Sequence, residues 1–175
     1  MNFSLEKSIE LLKRSPSTYK SLLYGLSYEW AHINEGEGTW SAYDIIGHLI
    51  HGENTDWIPR IQLILSEEKN KVFKPFNRFA QKNLSNGKSI ETLIDNFSEC
   101  RKENLELLKS LALTEIDLAK KGTHPDLGEV SIKELIATWA IHDIGHLNQL
   151  SRVIVKHYGE DVGPWAAYSP ILTKK

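Results

Sequence analysis

The chain has 175 residues, of which 41% are apolar and 25% charged, a size that suits one domain around one substantial core, read here as 1–175. With 21 basic against 23 acidic residues it lacks the charge excess of a general nucleic-acid or membrane-surface binder. Its single cysteine, Cys100, excludes an internal disulfide framework and a thiolate-rich metal site, and no apolar run approaches the roughly 18 residues of a membrane helix.

The N-terminal run MNFSLEKSIELLKR mixes acids with bases and has neither an apolar h-region nor a small-residue cleavage site. It is not a signal peptide, and the expected compartment is the cytoplasm. Leu5, Ile9 and Leu12 open a first helix. Pro16 predicts an interruption after Ser15 and a restart through Leu22, Leu23 and Leu26, because proline fits the first turn of a helix. The stretch GLSYEWAHINEGEGTW reads as a turn-rich connection.

A second helix starts sharply. Ser41 with Asp44 three residues on resembles a capping box, and Trp40 with Ile45 occupies the hydrophobic-staple positions. The helix is predicted from Ser41 to about Leu65. Between Ser66 and Lys88, six basic residues face only Glu67 and Glu68, with Phe73, Phe76 and Phe79 interleaved. This is read as a solvated connection whose phenylalanines tuck it onto the protein, with anion recognition as the alternative.

Ser89 caps a third helix with its buried face at Leu93, Ile94, Phe97, Leu105, Leu108 and Leu111, ending before Thr114. KKGTHPDLGEV is predicted to be a loop. Ser131 with Glu134, flanked by Val130 and Leu135, repeats the box and staple for a fourth helix that stops at Gly159. The closing stretch, with Trp165, Tyr168 and Ile171, is expected to pack on the protein or to cover a partner subunit. Nothing alternates with a period of two, so the expected fold is all-α, a four-helix bundle. The connections from helix one to two and from two to three are long enough to cross it.

In the fourth helix the apolar stripe runs through Ile132, Leu135, Trp139, Leu150 and Val153, and His142 and His146 fall in the same arc. One turn apart on one face, two imidazoles can reach one ion. A hydrogen-bonded pair of core histidines is the alternative. In metalloprotease helices of the form HxxxH a Glu follows the first His, whereas Asp143 follows here. A third ligand could come from His32, His48, His51, His124, His157 or Glu53. Spacing does not choose among them. The helical wheel puts Glu53 within the stripe and His48 toward the polar side, and Gly47 and Gly52 could admit a close neighbour.

The runs WSAYDIIGHLIHGE and ATWAIHDIGHLNQL, with FKPFNRFAQ, GTHPDLGEV and VGPW in order between and after them, resemble the DinB-like superfamily of bacterial metal-binding four-helix bundles. The resemblance implies that His48, His142 and His146 bind a divalent ion, zinc or nickel. It assigns no catalytic residue, and Gly145 stands where many relatives carry a bulkier or polar side chain. Relatives include transferases that join low-molecular-weight thiols such as bacillithiol to electrophiles, and a mycothiol-dependent isomerase. The resemblance therefore implies a metal-dependent thiol S-transferase, with a small thiol and an electrophile as substrates. The alternatives are a metal-dependent hydrolase and a non-enzymatic, metal-stabilised stress-response protein. Glu53 and Asp143 are candidates to orient the imidazoles, Asp143 alternatively to pack helices; His51 and His124 could line the mouth of the site or lie on the surface. Family members are often dimers, and Trp30, Trp57, Trp165 and Tyr168 are many large aromatics for one small bundle, so a homodimer is expected. The DNA-damage association in the family name implies no DNA contact, and the near-neutral charge agrees.

Overall fold

The computed structural model describes residues 2–173. Its long helices are α1 (Leu5–Leu23), the consecutive pair α3 (Ala42–Thr55) and α4 (Trp57–Leu65), α6 (Ile90–Ser110) and α8 (Ile132–His157). Short helices α2 (Tyr28–His32), α5 (Gln81–Ser85) and α7 (Glu115–Leu118) lie in the connections, and a turn of 3-10 helix (Gly163–Tyr168) and α9 (Pro170–Thr173) follow α8. The caps form as expected: Ser41, Ser89 and Ser131 each accept the backbone N–H three residues on, with Asp44 and Glu134 closing the boxes. No helix among the described residues is long and apolar enough to cross a membrane.

At two of the six prolines the helices depart from the predicted bounds. Pro16 lies inside a continuous α1. Proline has no N–H for the carbonyl four residues back, here that of Leu12, and the Arg101 guanidinium donates to that oxygen instead, at 2.8 Å. Tertiary structure thus supplies the missing bond. Pro59, by contrast, divides the expected second helix: α3 ends at Thr55, four residues before it, and Asp56 (φ −113°, ψ −67°) carries the break into α4.

Cross-helix contacts fix the chain directions. Lys20 meets Asp95 while Leu12 meets Arg101, so α1 and α6 are antiparallel. Tyr43 donates to the Lys88 carbonyl and Asn104 to that of Glu53, so α3 and α6 are parallel. His142 meets His48 and Trp139 meets Glu53, so α8 opposes α3. Helix α1 packs on α6 and α8, as does the α3–α4 pair, which places α1 diagonally across from α3. The connection after α1 therefore crosses the bundle, and the one after α4 returns along its length.

The segment KKGTHPDLGEV is not a plain loop but a two-stranded antiparallel hairpin, β1 (Lys121–His124) and β2 (Gly128–Ser131). Four residues a side are too few to display alternation. His124 ties its turn by accepting from the N–H groups of Asp126 (3.2 Å) and Leu127 (3.3 Å). Gly122 lets the hairpin lie on α4: a Cβ there would stand 2.6 Å from Phe73 Cε1 and 2.9 Å from Ile64 Cγ1. Gly122→Ala is accordingly expected to cost about 1–3 kcal/mol through overpacking, readable as a lower urea midpoint at unchanged slope.

Two apolar clusters fill the bundle. One gathers Leu12, Trp57, Ile61, Leu105, Leu108, Ile136 and Trp139; the other gathers Tyr19, Ile45, Ile46, Ile94, Phe97 and Leu150. Between them along α3, α6 and α8 lie Glu53, Arg101 and Asp143, each at most 2% exposed, so a charged layer spans the core. Of the large aromatics, Trp57 enters the core and Trp30 packs on His157 and Tyr158, whereas Trp165 is 73% and Tyr168 82% exposed.

Candidate metal centre

His48 lies in the second turn of α3, His142 and His146 midway along α8. Their Nε2 atoms converge: His142 Nε2 is 3.2 Å from that of His48 and 3.1 Å from that of His146. A tetrahedral ion with Zn–N bonds of about 2.0–2.1 Å holds its donors about 3.3–3.4 Å apart, so the spacing is that of one face of such a site. One imidazole nitrogen cannot satisfy two others by hydrogen bonding if all three are lone-pair donors. A shared cation resolves that conflict, and the residues present fit one.

The wheel placed His48 on a polar side, but His48 is only 6% exposed. Helix α5 and the segment before it cover that side. Phe76 stands edge-on to His48 at 5.3 Å, and Trp40 lies 4.7 Å from His48 and 6.0 Å from His146, ring centre to ring centre. Gly47 admits α5, since a Cβ there would collide with Ser85 Oγ and come 3.3 Å from Gln81 Cβ. Gly145 does not shape the site, since a Cβ there meets nothing within 4 Å.

Of the three imidazoles, that of His146 is held on its far side by a group that sequence reading missed. Gln149, one turn beyond His146, places Oε1 2.8 Å from His146 Nδ1; the pairing puts the proton on Nδ1 and leaves Nε2 a lone pair toward the cluster. Its spacing from His146 was visible in the sequence. Glu53 does not orient a ring, and Asp143 takes the alternative role of packing helices, α8 on α6. Both carboxylates are bound by Arg101, because a buried guanidinium demands acceptors more strongly than a neutral imidazole does. His51 is buried against Phe76 at 4.8 Å, and His124 caps its hairpin. Phe73 and Phe76 tuck the basic segment onto the bundle, while Phe79 is exposed. Arg78 lies over the Trp40 ring at 5.4 Å, which puts one cation at the rim of the cluster.

Burial, followed by repulsion from His146, His142, His51 and Arg78, pushes the His48 pKa down to about 3. Burial and then His146 push that of His142 down to about 4, and burial also lowers His146. All three are therefore neutral ligands at neutral pH. The unfolded chain takes up protons on these rings below its ordinary value of about 6.5 while the fold resists. Metal-free protein should thus keep this contribution above pH 6.5 and lose it as pH falls toward 4, at up to about 1.4 kcal/mol per pH unit for each ring. Urea titrations of chelated protein across that window check it, and His48→Asn should flatten the slope.

A helical bundle whose core presents three converging imidazole nitrogens belongs to the class of proteins able to hold one metal ion between helices. The sequence signature of the DinB superfamily matches residues 11–150, and the chain belongs to that superfamily. It is 26% identical over 151 residues to a candidate metal-dependent hydrolase of Oceanobacillus iheyensis, covering 86% of each chain. It is 29% identical over 110 residues to one from Bacillus cereus, covering 62% of this chain and 61% of that one. Among solved structures, YfiT from Bacillus subtilis, described as having an unusual four-helix bundle topology, superposes with a TM-score of 0.74 at 19% identity, over 89% of this chain and 90% of that one. A DinB-like protein from Bacillus cereus superposes with a TM-score of 0.57 at 18% identity, over 90% and 95%.

Proposed function

We propose that the protein is a metal-dependent enzyme of the thiol S-transferase type, with His48, His142 and His146 holding a divalent ion, zinc or nickel. The observation that carries this reading is the donor set: three neutral imidazoles with no carboxylate of their own. Such a set leaves the ion its full charge and an open position, and the ion when bound supplies Lewis acidity to a thiol or water held there. Asp143, the carboxylate whose field reaches His142 and His146, has both oxygens bound by Arg101 and is not free to act as a base. Thiol transfer makes the smaller demand on such a site, because the thiol proton can leave to solvent. The thiolate sulfur then bonds to the electrophilic carbon, whose leaving group departs with its electron pair. Trp40 and Phe76 limit water beside His48, and Arg78 favours an anionic substrate at the rim.

Hydrolysis is the second reading, supported by the names of the relatives from Oceanobacillus iheyensis and Bacillus cereus. It requires turnover without thiol. The test is metal-loaded, untagged protein offered a small thiol with a chlorodinitrobenzene, and separately an activated ester without thiol. Conjugation that needs both ion and thiol supports the transferase; ester turnover alone transfers the assignment to a hydrolase. Failure of both, with the ion bound, leaves a non-enzymatic stress-response role. The proposal includes a homodimer that buries the exposed Trp165 and Tyr168, and a monomeric elution volume at micromolar concentration would overturn that part.

A further inference from the structure

Beneath the histidines lies a charged group that no ligand role explains. Arg101, in the middle of α6 and 1% exposed, donates from Nη1 to Asp143 Oδ2 at 2.6 Å and from Nη2 to Asp143 Oδ1 at 3.1 Å and Glu53 Oε1 at 2.7 Å. Glu53 also accepts from Trp139 Nε1 and Asn104 Nδ2, both at 2.9 Å. Tyr19 Oη donates to the Asp143 carbonyl at 2.7 Å. The two carboxylates come from the two ligand-bearing helices: Asp143 is the residue after His142, and Glu53 lies on α3 a little over one turn beyond His48. One guanidinium joins them, so a rotation of either helix breaks a charge-assisted bond between buried groups.

The formal charge of this group does not close. Two carboxylates and one guanidinium leave one negative charge in the core, behind three neutral imidazoles that offer none. We propose that Arg101, with Glu53 and Asp143, is a positioning device for the metal centre, which fixes His48 against His142 and places one uncompensated negative charge behind the cation. This rests on the metal-binding reading above and is independent of whether the reaction is transfer or hydrolysis. Partners that hydrogen-bond a ligand directly commonly contribute about ten- to a hundredfold in affinity, and that range is the scale for this device, which acts by holding the ligand-bearing helices and not by touching the rings.

The test uses cobalt(II) as probe, with untagged protein, reading affinity by chelator competition and geometry from the visible absorption bands. Asp143→Asn removes the excess charge while keeping the shape, and Arg101→Lys keeps the charge while losing the fork. Both are expected to weaken cobalt binding by about ten- to a hundredfold, and Arg101→Lys to shift the bands. Folded variants with wild-type affinity and unchanged bands, less stable or not, would overturn the proposal, since a purely structural role moves only stability. Should Arg101→Lys not fold, Asp143→Asn and Glu53→Gln decide the matter. Wild-type protein that takes up no cobalt sinks the metal reading itself, an outcome distinct from tight binding that ignores these substitutions.

Discussion

His142→Ala is expected to strip the protein of its divalent ion: elemental analysis of untagged protein should find about one ion per chain in the wild type and none in the variant. His142 Nε2 is the member of the cluster that neighbours both others, at 3.2 and 3.1 Å. Without it, His48 and His146 remain on different helices as two donors, too few for a tight site. The affinity loss should exceed the ten- to hundredfold typical of removing an outer partner. His48→Ala and His146→Ala should behave alike. An ion that survives the loss of His48 would return the three side chains to the role of packing.

Arg101→Met should produce the largest loss of stability of any single change considered, about 3–5 kcal/mol, because it leaves buried charges without their partner. The substitution strands Glu53 and Asp143 together in the core and also uncovers the Leu12 carbonyl, which Pro16 cannot serve. Urea titration of metal-free protein measures it. Adding Glu53→Gln and Asp143→Asn to Arg101→Met removes the stranded charges and should recover part of the loss. A single variant within about 1 kcal/mol of wild type, the size of an ordinary exposed pair, would show that water reaches the layer.

The parts legible in the sequence were those set by local spacing. Ser41, Ser89 and Ser131 announced helix starts because a cap needs only the next three residues. His142 and His146 declared a shared face because the helix period alone brings them together. His48 was different: the wheel set it outside the stripe, and only the family resemblance selected it. A wheel locates the core from one helix, whereas α3 is buried from Ile45 to Glu53 without interruption, its second side covered by distant residues such as Phe76 and Gln81. Arg101 left a signal that was not used, a charge four residues after Phe97 and four before Leu105, in the stripe itself. The two prolines show the limit of local rules. Pro59 broke its helix as the missing N–H dictates, while Pro16 did not, because a guanidinium far along the chain answered the orphaned carbonyl.

The charged layer also settles how the long helices may slide. Moving α8 by one turn against α3 would leave Asp143 and Glu53 facing apolar side chains, a shift far costlier than sliding one leucine past another. The distance between His48 and His142 is therefore inherited from the core and not from the connecting segments. What the connecting segments supply is cover for the rings, through Trp40, Phe76 and the α5 residues packed on Gly47, and their remaining length is free to vary.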